Sequence, residues 1–179
     1  MLNDIERVLL SEEEIKAKVR ELGQTIAREY EGKDPIFLGI LRGVVVFFSD
    51  IIREIPIHCQ IDFMAVSSYG AATESSGQIL LKKDFDIDIE GRHVVILEDI
   101  IDSGLTLKYV LAYLKSKNPA SLKVCTLLDK PARRKVELEA DYVGFTIPNE
   151  FVVGYGLDYS DHYRNLPFIG VLKPEVYEK

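Results

Sequence analysis

The densest chemistry in the chain lies in Val94-Val95-Ile96-Leu97-Glu98-Asp99-Ile100-Ile101-Asp102-Ser103-Gly104-Leu105-Thr106. Four apolar residues read as a strand whose carboxyl end delivers two adjacent carboxylates, with a short acidic loop after them. In an open α/β sheet, ligands bind at that end. Successive residues of an extended chain point opposite ways, so Glu98 and Asp99 can hold two different hydroxyls of one sugar. Asp102-Ser103-Gly104-Leu105-Thr106 then turns into a helix. Its backbone N–H groups, a glycine that permits close approach and the Thr106 hydroxyl suit a phosphate monoester. A lone Asp-Ser-Gly would read as an ordinary helix cap. Here the apolar strand, the acidic pair, the third aspartate and Gly-x-Thr occur together and in order. No Gly-x4-Gly-Lys-Ser/Thr run occurs, and Gly154-Tyr155-Gly156 lacks the third glycine of a dinucleotide site.

The elements that must position these groups alternate along the chain. Ser11-Glu12-Glu13-Glu14 reads as a capping box, and Ile15, Val19, Leu22 and Ile26 follow at helical spacing to about Tyr30. Pro35 to Leu41 is an apolar run suited to a strand buried on both faces. Helical spacing returns at Val44, Phe47, Phe48, Ile51 and Ile52, and residues 57–66 read as a strand. Residues 67–77 are small, polar and aperiodic, which predicts a mobile loop, and residues 79–85 suit a hairpin arm. Strands are expected at 93–97, 122–128 and 141–147, with a helix burying Leu107, Val110, Leu111 and Leu114. This alternation predicts βαβ units, hence an α/β fold with a parallel β-sheet flanked by helices. The region after Pro148 loosens into irregular cover. With 179 residues and no repeat or linker, one domain over 1–179 is expected.

Composition narrows the class further. Twenty-two basic against 29 acidic residues give a net charge of −7, which argues against non-specific nucleic-acid binding. No apolar run reaches the roughly 20 residues of a membrane span, and the acidic N-terminus lacks a signal-peptide pattern. A cytoplasmic protein with no membrane partner is expected. Cys59 and Cys125 are too few for a disulfide framework and read as small packed hydrophobes; His58, His93 and His162 show no metal spacing. Arg133-Arg134-Lys135, diluted by Glu137 and Glu139, reads as a solvated face.

The Val94–Thr106 segment resembles the phosphoribosyl-pyrophosphate (PRPP) loop of the type I phosphoribosyltransferases. The resemblance extends over nearly the whole chain. Leu38-Gly39-Ile40-Leu41-Arg42-Gly43 is similar to the family's pyrophosphate loop, which carries a non-proline cis peptide at the position of Leu41-Arg42. Ser67-Ser68-Tyr69-Gly70 resembles the start of a flexible loop that closes over the active site. Leu127-Leu128-Asp129-Lys130-Pro131, Val143 to Pro148 and Phe151 to Tyr159 are similar to the hypoxanthine-guanine branch, especially its bacterial members.

That resemblance implies a type I phosphoribosyltransferase fold with a small hood over the active site, built from the N-terminal segment and about 148–179. It implies transfer of a 5-phosphoribosyl group from PRPP to N9 of hypoxanthine or guanine, with magnesium as cofactor. Asp102 takes the general-base role. Glu98, Asp99, Ser103, Gly104, Leu105 and Thr106 hold the ribose phosphate, and Leu41, Arg42, Gly43 and Arg164 the pyrophosphate. Lys130 donates to the purine 6-oxo group, Phe151 stacks on the ring, the Val152 backbone reads its edge, and Asp158 sits beside the metal and pyrophosphate. Glu98, Asp99 and Asp158 form the implied metal set, and Ser68 and Tyr69 belong to the flexible loop. Tyr155, Tyr159 and Tyr163 read as packing or surface residues. Two positions depart from the pattern. Arg42 stands where lysine is commoner, and its fixed fork meets phosphate oxygens with a different geometry. Leu105 occupies a variable position and leaves its role to backbone amides and Thr106. A homodimer or homotetramer is expected. The competing class is a PRPP- or nucleotide-sensing regulator on the same fold; the acidic charge, the lack of an added basic domain and the intact base-recognition segment count against it.

A loop that closes over bound substrates must become ordered when they bind. Hydrogen exchange across residues 67–77 is therefore expected to fall sharply when a transition-state analogue is added. Unchanged exchange would contradict a lid.

Overall fold

The computed structural model describes residues 1–68 and 79–178. Strand β1 (Ile5–Leu10) leads into helix α1 (Glu12–Tyr30), whose start is the expected capping box: the Glu14 N–H donates to Ser11 Oγ, and the Ser11 N–H donates to Glu14 Oε2 at 2.8 Å. There follow β2 (Ile36–Leu41), α2 (Val45–Arg53), β3 (Gln60–Ser68) and β4 (Ile79–Lys83). The second half holds β5 (His93–Ile101), α3 (Leu105–Lys115), β6 (Ser121–Asp129), β7 (Tyr142–Thr146), β8 (Val152–Val153), β9 (Ile169–Leu172) and α4 (Pro174–Tyr177).

Six strands make one sheet in the order β4-β3-β2-β5-β6-β7, parallel throughout except for β4, which runs antiparallel to β3. Helices cover both faces. On one, Ile15, Val19, Phe47 and Ile51 of α1 and α2 pack over Phe37, Val95 and Leu127; on the other, Leu107, Val110 and Leu114 of α3 pack over Leu38, Ile96 and Val124. The continuous apolar runs of β2 and β5 follow from this double coverage. Strand order reverses between β2 and β5, so the loops that leave their carboxyl ends open a crevice there. β1, β9 and β8 form a separate three-stranded antiparallel sheet, which is the hood.

Several sequence expectations need correction. β5 runs on to Ile101, because pairing with β6 continues through Ile100↔Leu128 and Ile101↔Asp129. The acidic pair therefore sits inside the strand and not at its carboxyl end. β3 begins at Gln60 rather than 57, and Ser67 and Ser68 belong to it through pairing with Leu80 and Ile79 of β4. Tyr69 and the rest of the expected loop lie outside the described residues. The region after Pro148, read as irregular, contributes β8 and β9 to the hood. Among the described residues no helix is long and apolar enough to cross a membrane.

Candidate active site

The carboxyl ends of β2, β5 and β6 and the loops after them, with the β7–β8 and β8–β9 segments and α4, line a cavity of about 580 Å³. Arg42, Gly43, Asp99, Asp102, Lys130, Phe151, Val152, Asp158 and Arg164 all line it. A smaller pocket of about 120 Å³ lies on the α3 side and is lined by Glu98, Ser103, Gly104 and Thr106, with Asp102 shared between the two. The structure thus brings together the residues that the sequence singled out, in two adjoining pockets. Leu41 and Leu105 line neither: Leu41 ends β2 and joins Arg42 through a cis peptide, and Leu105 is the first residue of α3.

Strand alternation explains the division. Glu98 opens toward α3 and Asp99 toward the larger cavity, so adjacent carboxylates face different parts of the crevice. Both are held high by their surroundings. Burial, with Asp99 alongside, raises Glu98 well above the ordinary carboxylate range, and Glu98 is only 8 % exposed. Burial pushes Asp99 up to about 6, against the opposing pull of the Ile100 N–H at 2.8 Å and of Arg164. Gly43 is required here, since a β-carbon at that position would overlap the Asp99 carboxylate.

The phosphate-like pocket rests on the start of α3. Gly104, at φ +79°, is the cap residue, and no side chain caps the helix. Ser103 Oγ accepts from the Leu105 N–H at a long 3.4 Å. The Thr106 and Leu107 N–H groups remain available to an anion.

The other end of the large cavity is cationic but already engaged. Arg42 donates to Asp161 at 2.7 Å; Arg164 contacts Asp158 at 2.8 Å and Asp161 at 3.1 Å, and donates to the Gly156 carbonyl at 2.7 Å. Asp161 went unremarked in the sequence, where nothing marks a carboxylate whose partner lies 119 residues away. On the third wall, Lys130 is 6 % exposed, so it is not a solvated lysine; its Nζ donates to the Glu150 carbonyl at 2.8 Å, and burial lowers its pKa while Asp102 opposes the shift. Phe151 is 37 % exposed and stacks on Tyr177, with ring centroids 4.8 Å apart, while Tyr159 meets its edge. Tyr177, on a four-residue helix with no periodic signal, was also missed; it lines the cavity. Val152, buried, is fixed by β8–β9 pairing. Tyr155 and Tyr163 donate to Asp50 and Asp4, in packing roles.

The implied metal set does not converge. Among the described residues no three His, Cys, Asp or Glu side chains gather as a metal cage, because Glu98 faces away from Asp99 along the strand. Asp99 and Asp158 do share the large cavity. Two carboxylates of this kind fit magnesium, a hard ion that takes one or two protein carboxylates and completes its shell from substrate oxygens and water.

The basic run 133–135 is not simply a solvated face. Arg133 Nε stands 3.0 Å from Asp102 Oδ1, an ion-pair contact that lacks hydrogen-bond alignment. Arg134 is mostly buried behind the loop.

Residues 8–160 match the family described as the phosphoribosyl transferase domain. The chain is 53 % identical over 178 residues to the hypoxanthine-guanine phosphoribosyltransferase of Bacillus subtilis (strain 168), covering 99 % of each chain. A crystal structure of a Staphylococcus aureus hypoxanthine phosphoribosyltransferase superposes with a TM-score of 0.97 at 52 % identity, covering 100 % of this chain and 97 % of that one. The chain is also 54 % identical over 179 residues to the bifunctional protein TilS/HprT of Listeria monocytogenes (strain F2365), and spans 28 % of that protein's length.

A carboxyl group whose pKa rises on folding stabilises the fold below its unfolded value and loses that contribution as pH rises through the folded value. For Asp99, a rise from 3.8 to about 6 corresponds to about 3 kcal/mol at most, a ceiling because part of its surface faces the cavity. Asp99→Asn is therefore expected to be more stable than the ligand-free wild type. The gap should be small near pH ~4, widen as pH rises through about 6, and then level off. Denaturant unfolding at a series of pH values measures it; a constant or shrinking gap would contradict burial as the cause.

Proposed function

The chain belongs to the phosphoribosyltransferase family, and from that premise we propose that it transfers the 5-phosphoribosyl group of PRPP to N9 of hypoxanthine or guanine. The observation that carries this reading is the buried Lys130 ammonium, which shares one cavity with Asp102, Asp99 and Arg164. A site for a 6-oxopurine thus adjoins one for a sugar pyrophosphate.

In the reaction, N9 of the purine forms a bond to C1 of the ribose while the bond from C1 to the pyrophosphate oxygen breaks. The N7 proton passes to the Asp102 carboxylate, which also favours the positive charge that builds in the ring. The uncapped α3 terminus with Ser103, Gly104, Leu105 and Thr106 receives the 5-phosphate, and Glu98 and Asp99 hold the ribose hydroxyls. Arg42, with the Leu41 and Gly43 backbone, and Arg164 receive the departing pyrophosphate in place of their present Asp161 contact. Phe151 stacks on the base, and the Val152 backbone meets its edge. Asp99 and Asp158 are the residues that would hold magnesium. Magnesium, when bound, supplies Lewis-acid stabilisation of the leaving pyrophosphate. A cytoplasmic homodimer or homotetramer completes the proposal.

Base selectivity tests it. An ammonium has donors and no acceptor, so it pairs with a 6-oxo group but meets another donor in the 6-amino group of adenine. Leaving both desolvated costs about 1–3 kcal/mol for a neutral group and more for a charged one. Sites built on such a bond reject the wrong analogue by about 10⁴–10⁵. Nucleotide formation from PRPP with magnesium is expected to be efficient with hypoxanthine or guanine and barely detectable with adenine. Lys130→Gln should narrow the difference, because an amide oxygen can accept from the adenine amine. Use of adenine by the wild type within about tenfold of hypoxanthine, a gap of only about 1.4 kcal/mol, would overturn the assignment.

A further inference from the structure

Arg134 lines neither pocket, yet its side chain joins the two loops that form them. It is 14 % exposed. Its Nε donates to the Asp102 carbonyl at 3.1 Å; one terminal nitrogen donates to the Leu138 carbonyl and the other to the Asp129 carboxylate. Its stem lies against Gly104, where an added β-carbon would come within 2.9 Å of Arg134 Cδ. The neighbouring backbone reinforces the junction: the Lys135 N–H donates to the Ser103 carbonyl at 2.9 Å, and the Lys130 N–H to the Ile101 carbonyl at 3.0 Å.

These contacts span both halves of the cavity. Asp102 to Gly104 belong to the phosphate side, and Asp129 immediately precedes Lys130 on the purine side. A guanidinium presents its donors in a rigid planar fork, whereas an ammonium is a point charge on a flexible stem. Only the first can hold a backbone carbonyl, a second carbonyl and a carboxylate at fixed mutual angles.

We infer that Arg134 is a positioning residue: one mostly buried guanidinium keeps the Asp102 loop and the Asp129–Lys130 turn in register, so that the general base and the purine donor address the same bound substrates. This inference rests on the phosphoribosyl-transfer reading. Arg134 acts through the Asp102 peptide plane, and misplacing a reacting group by about 1 Å costs on the order of a hundredfold in rate.

Arg134→Lys separates positioning from folding, because lysine keeps the charge, the Asp129 partner and the stem against Gly104. Its unfolding midpoint is expected near that of the wild type. Its kcat should fall by at least about tenfold, with KM for PRPP and for hypoxanthine within about threefold, since the lost contact matters to alignment and not to ground-state binding. Arg134→Met, which loses every polar contact, should fall further in both kcat and stability. A kcat for Arg134→Lys within about twofold of the wild type would overturn the inference, as would a KM rise that accounts for the whole loss. Failure of Arg134→Lys to fold would also overturn it, by making Arg134 a folding residue. The wild type's own turnover is read first: its absence would overturn the enzyme reading itself, whereas an active wild type with an unaffected variant would overturn only the role of Arg134.

Discussion

Two adjacent carboxylates, Glu98 and Asp99, are carried on a central strand, and the rest of the structure accommodates them. β5 is paired with β2 as far as Leu97 and with β6 through Ile101, so the backbone on either side of the pair is held in the sheet. Desolvation then makes ionisation unfavourable for both. Between the apolar runs Val94–Leu97 and Ile100–Ile101 of β5, this local conflict marks a functional site. The same constraint reaches β2, whose following loop must carry a glycine where Asp99 approaches.

Charge is balanced internally around this pair. Asp161 lies on Arg42 and Arg164, and Lys130 spends a donor on the Glu150 carbonyl. In the proposed reaction each of these contacts is exchanged for one with substrate: pyrophosphate oxygens for Asp161, a purine 6-oxo group for a carbonyl. Such exposed ion pairs are individually weak, about 0–1 kcal/mol, and are readily displaced. A protein of net charge −7 can bind a polyanion because the local field, not the total, governs the site.

Much of this was legible in the sequence because it is local. The capping box at Ser11, the apolar runs of β2 and β5 and the ordered Glu98–Thr106 segment each carry their signal within a few residues. What escaped notice depends on distant partners. β5 extends to Ile101 because β6 lies beside it, and the two-residue β8 exists only by pairing with β9. Arg134 reads as one charge in a basic run, yet it is mostly buried because its acceptors, the Asp102 carbonyl and the Asp129 carboxylate, come from the loop after β5 and the end of β6. Lys130 was assigned by resemblance alone, since nothing local distinguishes a buried lysine from a solvated one after a strand.

Burial of Glu98 and Asp99 favours their protonated forms in the ligand-free protein. Infrared difference spectroscopy of the ligand-free protein at pH 6, close to the value to which burial pushes Asp99, reads this protonation. A protonated-carboxyl stretch is expected that weakens in Asp99→Asn and disappears from the wild type when PRPP and magnesium are added. Fully ionised carboxylates in the ligand-free protein at that pH, or a protonated signal unchanged by ligand, would contradict it.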